Sequence, residues 1–165
     1  MIKITYKAKV SSPIVTIYTD GAARGNPGPG GYGVVLLSGP HRKELSAGFQ
    51  CTTNNRMELM AVIVGLEALK AENCQVIIYS DSKYVVDAVE KEWLRGWVKK
   101  GFKDKKNADL WRRFLKVYEK HQIRFVWVRG HAEIVENERC DRLAVAASMV
   151  PGLPKDEGYL LRGEY

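Results

Sequence analysis

Residues 20–33 read "DGAARGNPGPGGYG", and Gly28, Gly30 and Gly33 within them stand at the spacing G-x-G-x-x-G directly after the strand-like run "IVTIYTD". In a dinucleotide-binding unit such glycines open a helix whose N-terminus receives a pyrophosphate. Here Gly33 runs instead into "VVLLS", a β-type run, and Pro27 and Pro29 lie inside the turn. The stretch therefore reads as a tight loop joining two antiparallel strands. A β-meander, and not a βαβ unit, opens the fold.

The rest of the chain follows from that start. "GYGVVLLS" (31–38) and "KELSAGFQ" (43–50) are read as the second and third strands, separated by a Gly39-Pro40 turn signal. A helix is expected over about 55–71, with Met57, Met60, Ala61, Val64 and Ala68 at helical spacing, and Asn55 placed three before Glu58 as in a capping box. "QVIIYS" (75–80) is a fourth strand, "SKYVVDAVE" a helix capped by Ser82, and "ADLWRRFLKVYEKH" an amphipathic helix. "QIRFVWV" (122–128) is the last strand, followed by a loop (129–136) and a helix from Asn137 to Met149 that Pro151 stops. The tail "GLPKDEGYLLRGEY" reads as a loosely attached end.

This order predicts an α/β fold, a mixed sheet with helices on its faces. Right-handed crossovers make strands one, four and five parallel. Ligands of such sheets meet the carboxyl ends of the parallel strands, and Asp20 and Asp81 end strands one and four.

With 165 residues the chain has the size of one domain with a sizeable core. The opening "MIKITYKAKVSSP" fits neither a signal peptide nor a membrane span, so a soluble, cytoplasmic monomer is expected, with no membrane partner. Three cysteines, Cys51, Cys74 and Cys140, lack any C-x-x-C pair and read as reduced thiols. The net charge is +7, and the segment 91–106, "KEWLRGWVKKGFKDKK", alone carries +5. Trp93, Trp97 and Phe102 are interleaved with its bases, a pattern suited to a phosphate backbone, with aromatics on sugars or bases. The competing reading is a solvated basic helix with its aromatics in the core.

Four acids are candidates for chemistry: Asp20, Glu58, Asp81 and Asp141. Singly each has an ordinary structural reading, such as Glu58 on the first turn of a helix. If they converge, each pair at about 5 Å repels by roughly 3 kcal/mol at an effective dielectric of ~20. Cations are then required, and hard oxygen ligands favour Mg²⁺ or Mn²⁺.

"IYTDGAARGNPGPGGYG", "TTNNRMELMAVIVGLEAL", "YSDSKYVVDAV" and "VRGHAEIVENERCDRLAV" resemble, in order and spacing, the motifs of ribonuclease H type 1, the bacterial ribonuclease HI kind. The basic segment with "NADLWRRF" is similar to that family's basic protrusion. The resemblance covers about residues 13–149 of a single domain spanning 1–165. It implies a five-stranded mixed sheet of order 3-2-1-4-5 with helices on both faces. It also implies hydrolysis of the RNA strand of an RNA/DNA hybrid, leaving 3′-hydroxyl and 5′-phosphate ends. Asp20, Glu58, Asp81 and Asp141 become the carboxylates for two Mg²⁺ ions, and His131 assists proton transfer and product departure.

By the same matching the substrate contacts are Ala23 through its backbone, Asn26, Thr53, Asn54, Asn55 and Asn137. Trp93, Lys99, Lys100, Lys105 and Lys106 belong to the contact with the DNA strand. The glycines of 28–33 are expected to let the chain approach a nucleic-acid backbone closely. Two departures stand out: Lys83 replaces a common substrate-contacting Gln, and Glu133-Ile134-Val135 replaces Gly-His-Pro. The alternatives are a DNA-directed nuclease of the same fold, or a non-catalytic hybrid- or duplex-binding module.

Overall fold

The computed structural model describes residues 12–130 and 132–161. Strands β1 (Ile14–Ala23), β2 (Gly28–Ser38) and β3 (His41–Thr52) form the meander. Helix α1 (Asn54–Glu67) leads to β4 (Gln75–Ser80), which is followed by α2 (Lys83–Glu90), α3 (Trp93–Lys99) and α4 (Ala108–Tyr118). Strand β5 (Gln122–Trp127), α5 (Val135–Ser148) and the short α6 (Glu157–Leu160) complete the order. The sheet runs β3-β2-β1-β4-β5, antiparallel within the meander and parallel across β1, β4 and β5.

The two faces of the sheet are covered differently. Ile17 and Val34 pack under α1 at Gly65, and both are fully buried. On the other face Gly31 and Gly33 lie under the backbone of α5. A Cβ at Gly33 would collide with the Cys140 carbonyl oxygen, so the glycines of the opening loop admit a helix to the sheet. Their expected role in approaching a nucleic-acid backbone is corrected at these two positions. Gly28, Gly30 and Gly33 are all within strand β2, and the turn itself is the short 24–27 segment with a cis Asn26-Pro27 bond.

Three more expectations change. The α1 cap is Thr53, whose hydroxyl accepts from the Arg56 N–H, and Asn55 is inside the helix. The hydroxyl wins because an N-cap needs extended backbone with an oxygen over the first turn, a conformation Thr53 adopts. The tail is tied down: Asp156 is buried, its carboxylate accepts from Thr52 and Arg56, and Gln50 N–H donates to Pro154 O. In the basic segment Phe102 is buried and Trp97 meets Trp111 edge-on at 5.7 Å, so only Trp93 of the three aromatics is exposed. The core reading holds for two of them.

Candidate active site

The parallel pairing of β1 with β4 sets Tyr18 opposite Tyr79, and their rings stack at 4.9 Å. Two residues further along from each stand Asp20 and Asp81; Asp81 lies just past the end of β4, as expected, but Asp20 does not end β1, which stays paired with β2 from Asp20 to Ala23 after its pairing with β4 has stopped at Tyr18. The third acid comes from α1. Gly21 has no side chain to hold the helix away, and a Cβ there would collide with the Glu58 backbone nitrogen. Carboxylate oxygens of Asp20, Glu58 and Asp81 consequently lie within 4.8 Å of one another. Asp141, on α5, lines the same cleft of about 420 Å³ but stands outside that triad.

The electrostatics follow from that crowding. Burial, first, and the Asp81 charge push Asp20 up to about 7, against the opposing bonds with Glu58 and the Gly21 N–H; Asp141 raises it further. Glu58 is held well above the carboxylate range by burial and by the charges of Asp20 and Asp81. Its Oε2 is buried with no hydrogen-bond partner among the described residues. Like charges gathered in a buried place, with an acceptor oxygen left unsatisfied, form an arrangement that a cation stabilises.

At the cleft's rim the amide residues bind one another. Asn26 Oδ1 accepts from the Asn54 N–H at 2.9 Å, and Asn54 Oδ1 accepts from the Ala23 N–H at 2.6 Å. These bonds orient both amides so that their –NH₂ groups remain as donors. Asn54, Asn55 and Asn137 line the cleft itself.

A family model described as RNase H matches residues 12–149. The chain belongs to the ribonuclease H family. It is 61% identical over 147 residues to the ribonuclease H of Desulforamulus reducens, covering 86% of this chain and 92% of that one. It is 55% identical over 150 residues to the ribonuclease H of an Escherichia coli O127:H6 strain, covering 88% and 95%. Among solved structures, LC9-RNase H1, a type 1 RNase H with the type 2 active-site motif, superposes with a TM-score of 0.77 at 29% identity, covering 95% of this chain and 84% of that one. LC11-RNase H1 in complex with an RNA/DNA hybrid superposes at 0.62 with 30% identity, covering 81% and 95%.

In this chain the basic segment is a short helix, α3, and a turn in which Gly101, Phe102, Asp104 and Asn107 all have positive φ. Lys99, Lys100, Lys105 and Lys106 are exposed along it. The Lys91 ammonium covers the exposed Trp93 ring at 5.4 Å, and that of Lys105 covers Trp97 at 5.1 Å. His131 lies outside the described residues. Tyr84 and Glu138 also line the cleft without having been singled out by sequence. The available signal was helical spacing: each sits three residues from a cleft acid, Tyr84 after Asp81 and Glu138 before Asp141. No helix among the described residues is long and apolar enough to cross a membrane.

Proposed function

We propose that this chain is an endoribonuclease that hydrolyses the RNA strand of RNA/DNA hybrids with two divalent cations, Mg²⁺ or Mn²⁺. The carrying observation is the convergence of Asp20, Glu58 and Asp81 within 4.8 Å. Hard carboxylate oxygens, one of them buried and unsatisfied at Glu58, are the donor set such ions take. Asp20, Glu58 and Asp81 would hold them, with Asp141 completing the set from α5. When bound, the pair of ions supplies an activated water and offsets the charge that develops at the scissile phosphate.

The chain's own groups do the rest. Hydrolysis breaks the P–O3′ bond and leaves the water oxygen on phosphorus, giving 3′-hydroxyl and 5′-phosphate ends. His131 carries the proton between the cleft and solvent, as an imidazole does near neutral pH. The –NH₂ groups of Asn26 and Asn54, oriented by the Ala23 and Asn54 N–H bonds, donate to RNA 2′-hydroxyls, the group that marks RNA. Asn55 and Asn137 contact the same strand. With its N–H donated to Asn54, Ala23 has only its carbonyl left for the substrate. Thr53 accepts from Arg56 N, which leaves its O–H to donate to a DNA phosphate. Trp93, Lys99, Lys100, Lys105 and Lys106 track the DNA backbone.

The test is cleavage of matched RNA/DNA, RNA/RNA and DNA/DNA duplexes, labelled on each strand, with Mg²⁺. Products are expected from the hybrid RNA alone. Cut DNA, or intact hybrid RNA, overturns the reading.

A further inference from the structure

Helix α5 turns two faces to the rest of the molecule. Asn137, Glu138 and Asp141 line the carboxylate cleft. Arg139, two residues before Asp141, stands roughly 200° away around the helix, on the side of the edge strand β3. There Glu44 receives its guanidinium as a fork: Arg139 Nε donates to Oε2 at 2.7 Å and Nη2 to Oε1 at 2.8 Å. One turn earlier Glu136 accepts from Arg42 Nη2 at 2.9 Å, and Arg42 Nη1 donates to Oε2 of the same Glu44 at 2.7 Å. Two neighbours on one helix face, Glu136 and Arg139, are thus fastened to two residues of β3.

The other contacts of α5 leave its rotation loosely defined. Cys140, Ala144 and Ala147 are buried against Gly31, Gly33 and Gly48, and small side chains on glycines form no ridges and grooves to interlock. Ahead of the helix Ile134 supplies no side-chain cap, and Glu133 has a φ of 60°. An isolated solvated ion pair adds little to stability, but a bidentate fork within a network fixes a geometry. At a helix radius of about 5 Å, a rotation of about 20° carries a side chain some 2 Å (roughly) along the rim. Octahedral cations such as Mg²⁺ tolerate little error in their ligands.

We propose that Arg139, forked on Glu44 with Arg42 and Glu136 as the outer pair, is a positioning residue that sets the rotation of α5 and so places Asp141 for the cations. This rests on the hybrid-cleavage reading above, in which Asp141 completes the carboxylate set. Arg139 acts through the helix and touches neither ion nor substrate.

Mn²⁺ binding to the substrate-free protein, followed by electron paramagnetic resonance, and hybrid cleavage over a Mg²⁺ series test it in wild type, E44Q, R139Q, R139K and E44Q/R139Q. E44Q and R139Q should each weaken Mn²⁺ binding about 3–10-fold, less than the loss of a partner bonded directly to a metal ligand. The Mg²⁺ concentration for half-maximal cleavage should rise by the same factor, with kcat at saturating Mg²⁺ within about two-fold of wild type. The two substitutions change the charge in opposite directions, so long-range attraction alone would make R139Q bind cations more tightly. R139K keeps the charge and loses the fork, and it should resemble R139Q. The double variant should be no worse than either single one, because the pair acts as a unit. Tm should move by no more than about 3 °C. Wild-type Mn²⁺ affinity in E44Q, tighter binding in R139Q, or a wild-type R139K overturns the proposal while hybrid cleavage stands. So does an affinity loss that comes only with a larger fall in Tm. Intact hybrid RNA with the wild type overturns both readings together.

Discussion

Arg56 and Glu58 are two residues apart on α1, roughly 200° around the helix from one another, and both are buried, at 1% and 9% exposure. Their surroundings could hardly differ more. Arg56 is met by Asp156 at 2.8 Å and Asp109 at 2.9 Å, with Asn107 as a further acceptor. Burial opposes its charge, yet bonds to Asp109 and Asp156 overcome that and raise its pKa further. Glu58 is met by Asp20 and Asp81, which carry the same sign. A buried charge closed by its partners inside the protein ties elements together. A buried charge faced by its like stores electrostatic free energy that only something from outside can release. The two sides of one helix thus separate structure from chemistry.

The contrast can be broken from either side. Asp20→Asn should lower hybrid cleavage by about 10³-fold or more, the scale of losing a principal electrostatic contributor. The same change should raise the Tm of the metal-free protein at pH 8, because it removes one of three crowded charges. A higher activity, or a lower Tm, breaks the comparison at its functional end. The sign of the pH dependence follows from the raised Asp20 value. The folded protein binds the proton more tightly than the unfolded chain, so stability is greatest below the unfolded pKa near 3.8 and falls as pH rises towards about 7. The loss is on the order of 4 kcal/mol at most. Urea titrations of the metal-free protein at pH 5 and pH 8 capture the part of it above pH 5, about 3 kcal/mol at most, and millimolar Mg²⁺ should shrink the difference.

Asp156→Asn attacks the other side. It should cost about 3 kcal/mol in urea unfolding by leaving part of the buried guanidinium unpaired, with kcat of the folded protein nearly unchanged. A large fall in kcat instead would show that the tail network and the cleft are one unit. Gly33→Ala should cost roughly 1–3 kcal/mol by overpacking, and it should also lower kcat, since the helix it displaces carries Asp141 next to Cys140. The smallest effect belongs to the surface. Arg42 bridges Glu44 and Glu136 at 2.7 and 2.9 Å, but these charges are solvated. Arg42→Ala should leave the urea midpoint within experimental scatter.

How far these two regions were legible in the sequence differs in the same way. The cleft acids were nominated because Asp20 and Asp81 end apolar β-runs and the motifs around all four carry a family pattern. Arg56 was passed over, and its partner Asp156 was assigned to a loose tail. Nothing local marks either one: an arginine within a helix and an aspartate between a lysine and a glutamate are ordinary solvated residues until the chain brings them together across 100 positions. The glycines of 28–33 were read rightly as joining antiparallel strands and not opening a helix, but Gly28 and Gly30 were placed in the loop where β2 in fact begins at Gly28, and the group was given the wrong neighbour. What approaches Gly33 is α5, more than 100 residues away in sequence. The aromatics of the basic segment were divided between core and surface by α3, which carries both Trp93 and Trp97, and by the turn at 100–107 that buries Phe102, whose positive φ angles the residue pattern did not announce.

By itself the sequence determined the five strands, four of the helices and their order, the excess of charge in 91–106 and the identity of the candidate acids, because hydrophobic period, turn chemistry and residue type are local properties; α3 and α6 were not among them. Only the tertiary structure decided that Asp20, Glu58 and Asp81 share 4.8 Å, that Asn26 and Asn54 orient each other, and that the tail closes on Arg56. Those facts depend on strand register and on helices seated against glycines, contacts between residues far apart in the chain. Their free energy exists only once the whole sheet has formed.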